Sequence, residues 1–345
     1  MTAGDSRRSR QHQQDDDADT GLSFFSDSLS SLFDVHTPSR GTPGSRLVYS
    51  HPLLPSSPLA SSGSVGSLTY NIPNHDGVNT KLFAHYQWDA GWELANDIVL
   101  SSSPSFSSSS SPSSSASSRW ADVRGKTTLE LGAGTGLPSL VAARMGARRS
   151  VVTDYPDEGI LRCLRGNVEL EEKERRSRRG DQESTQQDEQ KLMVRGLAWG
   201  DEAQEHELLS LQPGGYDRLL IADTLWVSSS HPLLIHSILR LISRTHGRVL
   251  VAAGYHSGIP CVRRFFEACE RGMSGMGRLV PDEEMGGVRE RNVQSGETGK
   301  CAWYKSANDG QEDQNDDMGS IEERAKRCVL ASLRWAPHVE QEQAK

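Results

Sequence analysis

A glycine-rich turn between an apolar segment and a helical pattern constrains the fold of this 345-residue chain most strongly. Thr127–Leu131 is apolar enough for a buried strand, Gly132, Gly134 and Gly136 follow at alternate positions, and helical spacing begins near Leu137. Glycine suits such a turn because side chains would keep a ligand away from the backbone N–H groups at the start of the helix. The turn therefore predicts a strand, a ligand-approaching loop and a helix, although its glycines could also serve the backbone alone.

Apolar runs and helical patterns alternate around this turn, which is typical of a mostly parallel sheet with helices on both faces. We predict an α/β fold with seven strands, the last two forming an antiparallel edge. Strands are predicted at 127–131, 150–154, 193–198, 218–222, 248–253, near Leu279 and at 328–334, with two earlier short strands at 47–49 and 68–72. Helices are predicted at 81–99, 137–145, 158–170, 232–243 and 261–271.

Composition divides the chain into one domain and several segments that bury too little apolar surface to form a core. Residues 1–45 are rich in Ser, Asp and Arg and predict a disordered tail, followed by a single domain over 46–345. Low-complexity insertions are expected near 101–118, which is almost pure serine, and near 171–190 and 308–323, which are charged. We interpret 171–190 as a solvated helix extension that passes into disorder.

Net charge and cysteine spacing argue against several classes of function. A formal charge of -8 gives no general attraction to nucleic acid or to an anionic membrane, and no apolar run approaches bilayer length. The five cysteines lack C-x-x-C spacing, so we expect reduced thiols and no metal site. The N-terminus lacks the apolar core of a secretory signal. We expect a protein of the cytoplasm, with the nucleus as the alternative.

Two carboxylates flank the glycine turn and narrow the choice of ligand. Glu130 precedes the turn, where a negative charge suits a ligand with cationic amino and sulfonium groups and opposes a pyrophosphate. Asp154 ends the second predicted strand, where an acid can accept hydrogen bonds from ribose hydroxyls; its alternative role is the N-cap of the helix after Pro156. The glycine spacing also differs from the dinucleotide fingerprint. These features favour S-adenosylmethionine and disfavour a nicotinamide-dinucleotide oxidoreductase.

Five segments between about residues 80 and 260 also carry a resemblance to known proteins. They are Phe83-Ala84-His85-Tyr86-Gln87-Trp88-Asp89-Ala90-Gly91, Leu129-Glu130-Leu131-Gly132-Ala133-Gly134-Thr135-Gly136-Leu137-Pro138, Val151-Val152-Thr153-Asp154-Tyr155-Pro156-Asp157, Leu197-Ala198-Trp199-Gly200 and Ile221-Ala222-Asp223. They resemble the seven-strand methyltransferases of the family 16 type, which include protein-lysine methyltransferases and fungal nicotinamide N-methyltransferase-like proteins. The third segment is the most specific, and is similar to fungal N-terminal and lysine methyltransferases that act on translation elongation factor 1A. The resemblance implies a Rossmann-like class I fold and S-adenosyl-L-methionine as cofactor.

The resemblance further implies a cofactor pocket at the strand ends. Its predicted members are Trp88, Glu130, Gly132, Ala133, Gly134, Gly136, Asp154, Tyr155, Trp199 and Ala222. Trp88 would pack near the methionine end of the cofactor, Trp199 beside the adenine and Ala222 on the pocket floor. Ordinary core packing is the alternative for Trp199, since aromatic rings bury large areas, but the following Gly200 favours a loop at a strand end.

Asp223 and Trp226 are the predicted catalytic residues, as parts of the acceptor pocket. The family usually has Asp-x-x-Tyr or Asp-x-x-Phe here, so Trp226 would keep an aromatic wall with a larger ring; the alternative is packing under the loop. A dry aromatic pocket would lower the pKa of an incoming amine, and a nearby carboxylate would help to remove its proton. His256, in a Gly-Tyr-His-Ser-Gly run that resembles fungal members, either reaches the substrate channel or lies on a surface loop.

These observations predict an S-adenosylmethionine-dependent N-methyltransferase that acts on a protein lysine or N-terminal amine. The resemblance implies a protein substrate, with a translation factor as the candidate, and neither nucleic acid nor membrane as a partner. Two alternatives stay open. One is a small-molecule N-methyltransferase of the nicotinamide type, and the other is a non-catalytic cofactor-binding scaffold, which the unusual Trp226 and the long insertions would fit.

Overall fold

Alternating apolar strands and amphipathic helices build an α/β fold in the computed structural model, which describes residues 39–56, 65–75, 82–104, 119–179, 191–304 and 320–337. The strands are β1 Ser39–Arg40, β2 Arg46–His51, β3 Gly66–Asn71, β4 Gln87–Trp88, β5 Thr127–Leu131, β6 Arg149–Asp154, β7 Leu192–Gly196, β8 Arg218–Ala222, β9 Arg248–Gly254, β10 Leu279–Pro281, β11 Val288–Asn292, β12 Thr298–Lys300 and β13 Arg327–Trp335. The α-helices are α1 Asp89–Ser102, α2 Leu137–Arg144, α3 Glu158–Arg179, α4 Glu202–Leu211, α5 His231–Leu241, α6 Ile259–Arg271 and α7 Ile321–Ala325. Short 3-10 turns lie at Ser228–Ser230 and Glu283–Met285.

The central sheet has nine strands in the order β12-β11-β13-β9-β8-β5-β6-β7, with β10 paired to β13. Strands β9, β8, β5, β6 and β7 run parallel, whereas β10, β11, β12 and β13 form antiparallel pairs. The predicted α/β class, with a mostly parallel sheet, is confirmed. Because β6 and β8 flank β5 on opposite sides, the chain reverses its direction of sheet growth at β5, which is where ligands bind in open α/β sheets.

Side chains of the central strands alternate between two hydrophobic layers. On β8, Leu220 belongs to the layer that contains α1 and α2, while Leu219 and Ile221 belong to the layer that contains α5 and α6. Strands covered on both faces bury most of their side chains, which explains the short apolar runs at the centres of β6 and β8. Within the described ranges, every helix is too short or too polar to span a bilayer.

The antiparallel edge is larger than predicted. The strands expected near Leu279 and at 328–334 correspond to β10 and β13, but β11 and β12 lie between them and were not predicted. Their sequences, Val-Arg-Glu-Arg-Asn and Thr-Gly-Lys, are mostly polar because they lie toward the edge of the sheet. The helix α4 was also missed, and β7 ends at Gly196, two residues before the predicted end at Ala198.

The segment before the glycine turn differs from the predicted helix over 81–99. The helix α1 begins only at Asp89, and Gln87–Trp88 instead pairs antiparallel with Ser39–Arg40. Residues 39–45, which were assigned to the disordered tail, are therefore part of the fold. Residues 1–38 lie outside the described residues. Arg40 also contacts α1, since its Nε lies 2.8 Å from Asp89 Oδ1.

The two early strands at 47–49 and 68–72 are confirmed as the hairpin β2–β3. This hairpin packs against α3, where the side chain of Asn167 accepts the Asn71 backbone N–H at 2.7 Å and donates to the Asn71 carbonyl at 2.9 Å. Tyr49 and Tyr70 are fully buried beneath it. The hairpin thus extends the fold on the α3 side of the sheet.

The predicted helix extension at 171–190 reaches Arg179, but its first turns are only partly solvated. Helix α3 continues to Arg179, and Glu171 is buried in an ion pair with Arg144 of α2. The Arg144 Nη1 also donates to the carbonyl of Ser67 at 3.0 Å, so a charged side chain joins α2, α3 and β3. These residues are polar in sequence yet lie at an interface between elements. Residues 180–190 lie outside the described residues.

The serine-rich insertion at 101–118 also begins with buried residues. Ser101 and Ser102 end α1, and their hydroxyls accept the backbone N–H groups of Ala121 and Val123 at 3.3 and 3.2 Å. Residues 105–118 and 305–319 lie outside the described residues. The end of the predicted insertion at 308–323 forms the start of α7, which Ser320 caps.

Candidate functional site

The glycine turn after β5 adopts a backbone conformation that L-residues with side chains rarely take. Gly132, Gly134 and Gly136 have φ angles of 71°, 55° and 79°. A Cβ on Gly132 would lie 2.8 Å from Thr224 Cγ2 and 3.1 Å from the Trp199 ring, whereas one on Gly134 would meet only a backbone oxygen at 3.9 Å. Conformation requires glycine at all three positions, and close packing also requires it at Gly132.

A cavity of about 370 Å³ opens beside this turn, at the carboxyl ends of β5, β6 and β8. Both predicted catalytic residues and all predicted cofactor residues except Gly136 line it; these are Trp88, Glu130, Gly132, Ala133, Gly134, Asp154, Tyr155, Trp199, Ala222, Asp223 and Trp226. Gly136 instead starts α2, and a side chain there would meet Leu164 and Val152. The structure therefore brings together residues from widely separated parts of the sequence.

Further residues line the cavity that the sequence did not single out, among them Phe83, Gln87, Thr135 and Thr224. Gln87 Oε1 accepts the Thr135 hydroxyl at 2.6 Å, which ties β4 to the glycine turn. The segment from Phe83 to Gly91 resembles the family, but its apolar spacing predicted a continuous helix. The chain instead bends before α1, and this bend places Phe83 and Gln87 in the cavity. Thr224 Oγ1 is buried without a hydrogen-bond partner among the described residues.

Asp154 connects the end of β6 to the glycine turn. Its Oδ2 accepts the Gly134 N–H and its Oδ1 accepts the Tyr155 N–H, both at 2.7 Å. Burial raises the pKa of this carboxyl to about 6 despite these two hydrogen bonds. The alternative helix-cap role falls to Asp157 instead, whose Oδ1 accepts the N–H groups of Gly159 and Ile160. Asp154 is thus free of α3 and is available to a ligand in the cavity.

Glu130 is a fully buried carboxyl at the end of β5, on the cavity wall. One oxygen accepts the Ser139 N–H of α2 at 3.0 Å, while the other, Oε1, has no hydrogen-bond partner among the described residues. Burial raises the pKa of Glu130 to about 8, because the charged form loses its hydration. A cationic ligand group at this position would restore a partner for the charged carboxylate.

Asp223 follows β8 in the left-handed region, at a φ of 58°, and both of its carboxylate oxygens are engaged. Oδ1 accepts the Gly254 N–H at 2.9 Å, and Oδ2 lies 2.8 Å from His256 Nε2. A non-glycine residue in this conformation is strained, and such strain concentrates at functional sites. The carboxylate of Asp223 is therefore held in one orientation beside the cavity.

Aromatic rings form one wall of the cavity. Trp226 packs edge-on against Phe83, with ring centroids 5.0 Å apart, and Trp88 packs against Tyr86 at 5.4 Å. The indole N–H of Trp88 donates to the carbonyl of Phe83 at 3.0 Å, and Phe83 itself has a φ of 53°. Trp226 therefore packs within the wall that it was predicted to form, rather than only beneath the loop.

The opposite end of the cavity is more open. Trp199 lies in the loop after β7, half-buried and against Gly132, as expected for a strand-end position. Tyr155 and Leu233, which also line the cavity, keep 48% and 54% of their surfaces exposed. An exposed apolar rim of this kind suits the flat face of an adenine ring.

The comparisons with known proteins agree with this geometry. The chain is 36% identical over 137 residues to the protein N-terminal and lysine N-methyltransferase EFM7 of Yarrowia lipolytica, covering 39% of this chain and 49% of that one. It is 41% identical over 125 residues to the EFM7 of Gibberella zeae, covering 34% of this chain and 43% of that one. The chain thus spans about half the length of these curated relatives.

Among solved structures, the ribosomal protein L11 methylase of Lactobacillus delbrueckii subsp. bulgaricus matches at 16% identity and a TM-score of 0.33, over 62% of this chain and 72% of that one. A similarity this low supports no conclusion about function. The lysine methyltransferase family model matches residues 82–271, which is more than half of the chain and includes the glycine turn, Asp154 and the aromatic wall. The chain belongs to the lysine methyltransferase family.

Proposed function

We propose that this protein is an S-adenosylmethionine-dependent N-methyltransferase that methylates a lysine or N-terminal amine of a protein. The observation that carries the proposal is the buried, half-satisfied carboxyl of Glu130 beside the glycine turn, in one cavity with Asp154 and an aromatic wall. A site for a cationic nucleoside requires these groups together. A site for a dinucleotide would not place an unpartnered carboxyl beside the turn, because a pyrophosphate would be repelled.

The residues of the cavity fit the cofactor part by part. Glu130 would lie on the cavity wall near its cationic end, and Asp154 would accept a hydrogen bond from the ribose. The open backbone at Gly134 would allow close approach, and Trp199 would cover the adenine. When bound, the cofactor supplies an electrophilic methyl group on a positively charged sulfur.

The aromatic wall would prepare the acceptor amine. Phe83, Trp88 and Trp226 would exclude water from the amine, and burial lowers the pKa of an ammonium because it disfavours the charged form. Holding the amine in line with the methyl group would supply much of the acceleration. Asp223 would not act as a freely moving base, since both of its oxygens are already hydrogen bonded.

The names of the matched relatives support a protein amine as the acceptor, since they are called protein N-terminal and lysine N-methyltransferases. Translation elongation factor 1A is the first acceptor to test, because the run from Val151 to Asp157 is similar to that of fungal enzymes acting on this factor. This choice rests on resemblance alone.

The test uses the purified full-length protein with tritiated S-adenosylmethionine, once with purified elongation factor 1A and once with a cell lysate. We expect label in elongation factor 1A or in discrete lysate proteins, and much less label with Asp154→Ala at the same cofactor concentration. Label confined to the small-molecule fraction would replace the proposal by the nicotinamide-type alternative. Tight binding of S-adenosylhomocysteine with no label in any fraction would instead favour the non-catalytic scaffold.

A further inference from the structure

His256 is joined to the proposed acceptor site although it does not line the cavity. It lies two residues after the end of β9, and its Nε2 is 2.8 Å from Asp223 Oδ2 at the end of the neighbouring strand β8. The side chain of His256 is 23% exposed and that of Asp223 is 5% exposed. A Cβ on Gly254 would lie 2.7 Å from this imidazole, so the strand end leaves room for the ring to reach Asp223.

The same imidazole also contacts the aromatic wall. Its ring centroid lies 4.8 Å from that of Trp88, at an interplanar angle of 59°. Trp88 lines the cavity and donates its indole N–H to the Phe83 carbonyl, so His256 supports the wall from behind. One side chain therefore holds two groups of the proposed acceptor site, a carboxylate and an indole.

The surrounding charges favour the protonated form of His256. Burial lowers the pKa of the imidazole, but the Asp223 carboxylate, and then Asp89 at the start of α1, outweigh it and raise the pKa overall. Asp89 is itself paired with Arg40. On β13, Cys328 lies opposite Gly254, and burial raises the pKa of its thiol, which leaves it uncharged. The site thus holds an imidazole whose protonated form is favoured by the acidic groups around it.

We propose that His256 is a positioning residue for the methyl acceptor, which neutralises the Asp223 carboxylate beside the acceptor amine and fixes the Trp88 ring. The inference rests on the function proposed above. An uncompensated carboxylate would stabilise the ammonium form of the acceptor, whose nitrogen has no lone pair for attack. With the imidazolium in place, the pair is neutral, and the amine loses its proton to water more readily before it attacks.

The experiment compares wild type with His256→Gln, which keeps a hydrogen-bond donor to Asp223 but removes the charge. Initial rates are measured from pH 6 to 9 with saturating tritiated S-adenosylmethionine and increasing concentrations of native lysate protein. We expect kcat at pH 7 to fall about tenfold, with an apparent KM that is unchanged or lower. In a plot of log kcat against pH, the rising limb should shift to higher pH by about one unit. A shift of one pKa unit corresponds to the same tenfold loss of rate at pH 7.

The chain provides a matched control at the other ends of the same two strands. His246 precedes β9, and its Nε2 lies 2.7 Å from Asp217 Oδ1, which precedes β8; the His246 side chain is 61% exposed. His246→Gln makes the same substitution in a similar pair at the strand ends away from the cavity. We expect this variant to keep the rates and the pH profile of wild type.

Three results would overturn the inference while leaving the proposed function intact. They are wild-type rates in His256→Gln, a loss of kcat with an unshifted pH profile, and an NMR pKa for His256 at or below 6.5, the ordinary value. The NMR titration uses the wild-type protein, so it decides the question even if the variants do not fold. If wild type labels no protein at all, the proposed function fails, and the role of His256 fails with it.

Discussion

The carboxylate of Asp154 accepts the backbone N–H of Gly134 at 2.7 Å, which joins the carboxyl end of β6 to the glycine turn that follows β5. The turn is therefore held by a side chain from the neighbouring strand as well as by its own backbone. A ribose bound to Asp154 and a cofactor tail lying along the turn would be fixed by one rigid unit. The consequence is that cofactor affinity should be sensitive to the loss of the Asp154 carboxylate.

Asp154→Ala is expected to weaken S-adenosylhomocysteine binding about tenfold to a hundredfold, because hydrogen bonds to a charged group contribute about 1.5–3 kcal/mol. Isothermal titration calorimetry measures the change. Asp157→Asn is the control, since asparagine retains the cap of α3 and Asp157 does not line the cavity. Equal losses of S-adenosylhomocysteine affinity in both variants would show that the substitutions disturb the loop after β6 as a whole, rather than a specific contact of Asp154.

The affinity for S-adenosylmethionine should rise with pH between about 6 and 8. Burial raises the pKa of Glu130 to about 8, so the carboxyl is protonated at lower pH and offers no charge to a cationic ligand. Asp154, with a pKa raised to about 6, contributes at the lower end of this range. Calorimetry at pH 6, 7 and 8 should detect proton release on binding. In Glu130→Gln the affinity for S-adenosylmethionine should no longer change with pH above pH 7. If the affinity still changes there, a group other than Glu130 is responsible.

The unliganded protein should show the opposite dependence in its stability. A carboxyl whose pKa is raised by folding stabilises the fold below its unfolded pKa, and this contribution is lost as the pH rises to the folded value. For Glu130 the window runs from about 4.5 to about 8. Across that window, Tm should fall less steeply for Glu130→Gln than for wild type. Parallel Tm profiles would contradict the burial of an ionisable Glu130.

Gly132→Ala should destabilise the protein and abolish cofactor binding, whereas Gly125→Ala should only destabilise it. Both positions have positive φ, 71° and 66°, and a side chain in this conformation costs about 1–2 kcal/mol. A Cβ on Gly132 also lies 2.8 Å from Thr224, while nothing lies within 4 Å of one on Gly125. Urea denaturation and calorimetry separate the two effects. Binding that survives in Gly132→Ala would remove the turn from the cofactor site.

Glu171→Gln should lower the free energy of unfolding by about 3–5 kcal/mol, because it leaves buried guanidinium groups uncompensated. Glu171 pairs with Arg144 and Arg178, and the side chains of Glu171 and Arg144 are each 1% exposed. Glu158→Gln is the control on the same helix; its partner Arg165 is 49% exposed, so the change should stay below about 1 kcal/mol. Urea denaturation measures both changes in the free energy of unfolding. Changes of similar size in the two variants would show that the buried ion pair of Glu171 contributes no more than the exposed one.

Trp226→Ala should lower kcat/KM for the protein acceptor about tenfold or more, since one aromatic face near a desolvated cation contributes about 1–2 kcal/mol. Trp226→Tyr should retain most of the activity, because tyrosine occurs here in the family pattern and can keep the contact with Phe83. Binding of S-adenosylhomocysteine should change little in either variant. A larger loss in cofactor affinity than in turnover would place Trp226 at the cofactor rather than at the acceptor.

The parallel centre of the sheet was predictable because its strands are buried on both faces. The predicted strands 127–131 and 218–222 correspond to β5 and β8 residue for residue, and β8 has four consecutive apolar residues from Leu219 to Ala222. The edge strands β11 and β12 were not predictable by this criterion, since their side chains are polar and pairing, rather than burial, defines them. Pattern alone also placed a helix over 82–88, where the chain turns and Gln87–Trp88 then pairs with β1.

The lining of the cavity was predictable where a residue lies at the carboxyl end of a central strand, as Glu130 and Asp154 do. Contacts between residues that are distant in sequence were not predictable. The hydrogen bond between Asp223 and His256 links positions 33 residues apart, and nothing in either local pattern indicates the other. Gln87 and Phe83 enter the cavity only because the chain bends before α1, and the tertiary contact with the glycine turn stabilises that bend.

The hydroxyls of Ser101 and Ser102 bind the backbone at Ala121 and Val123, and so join the two ends of the serine-rich segment. The entropy of closing a loop grows only with the logarithm of its length, by about 0.6 kcal/mol for each doubling. These joined ends lie near the amino end of the central strand β5, whereas the cavity lies at the carboxyl ends of the strands. A fluorescent label or an affinity tag inserted between these two joined ends is therefore expected to leave the proposed active site intact.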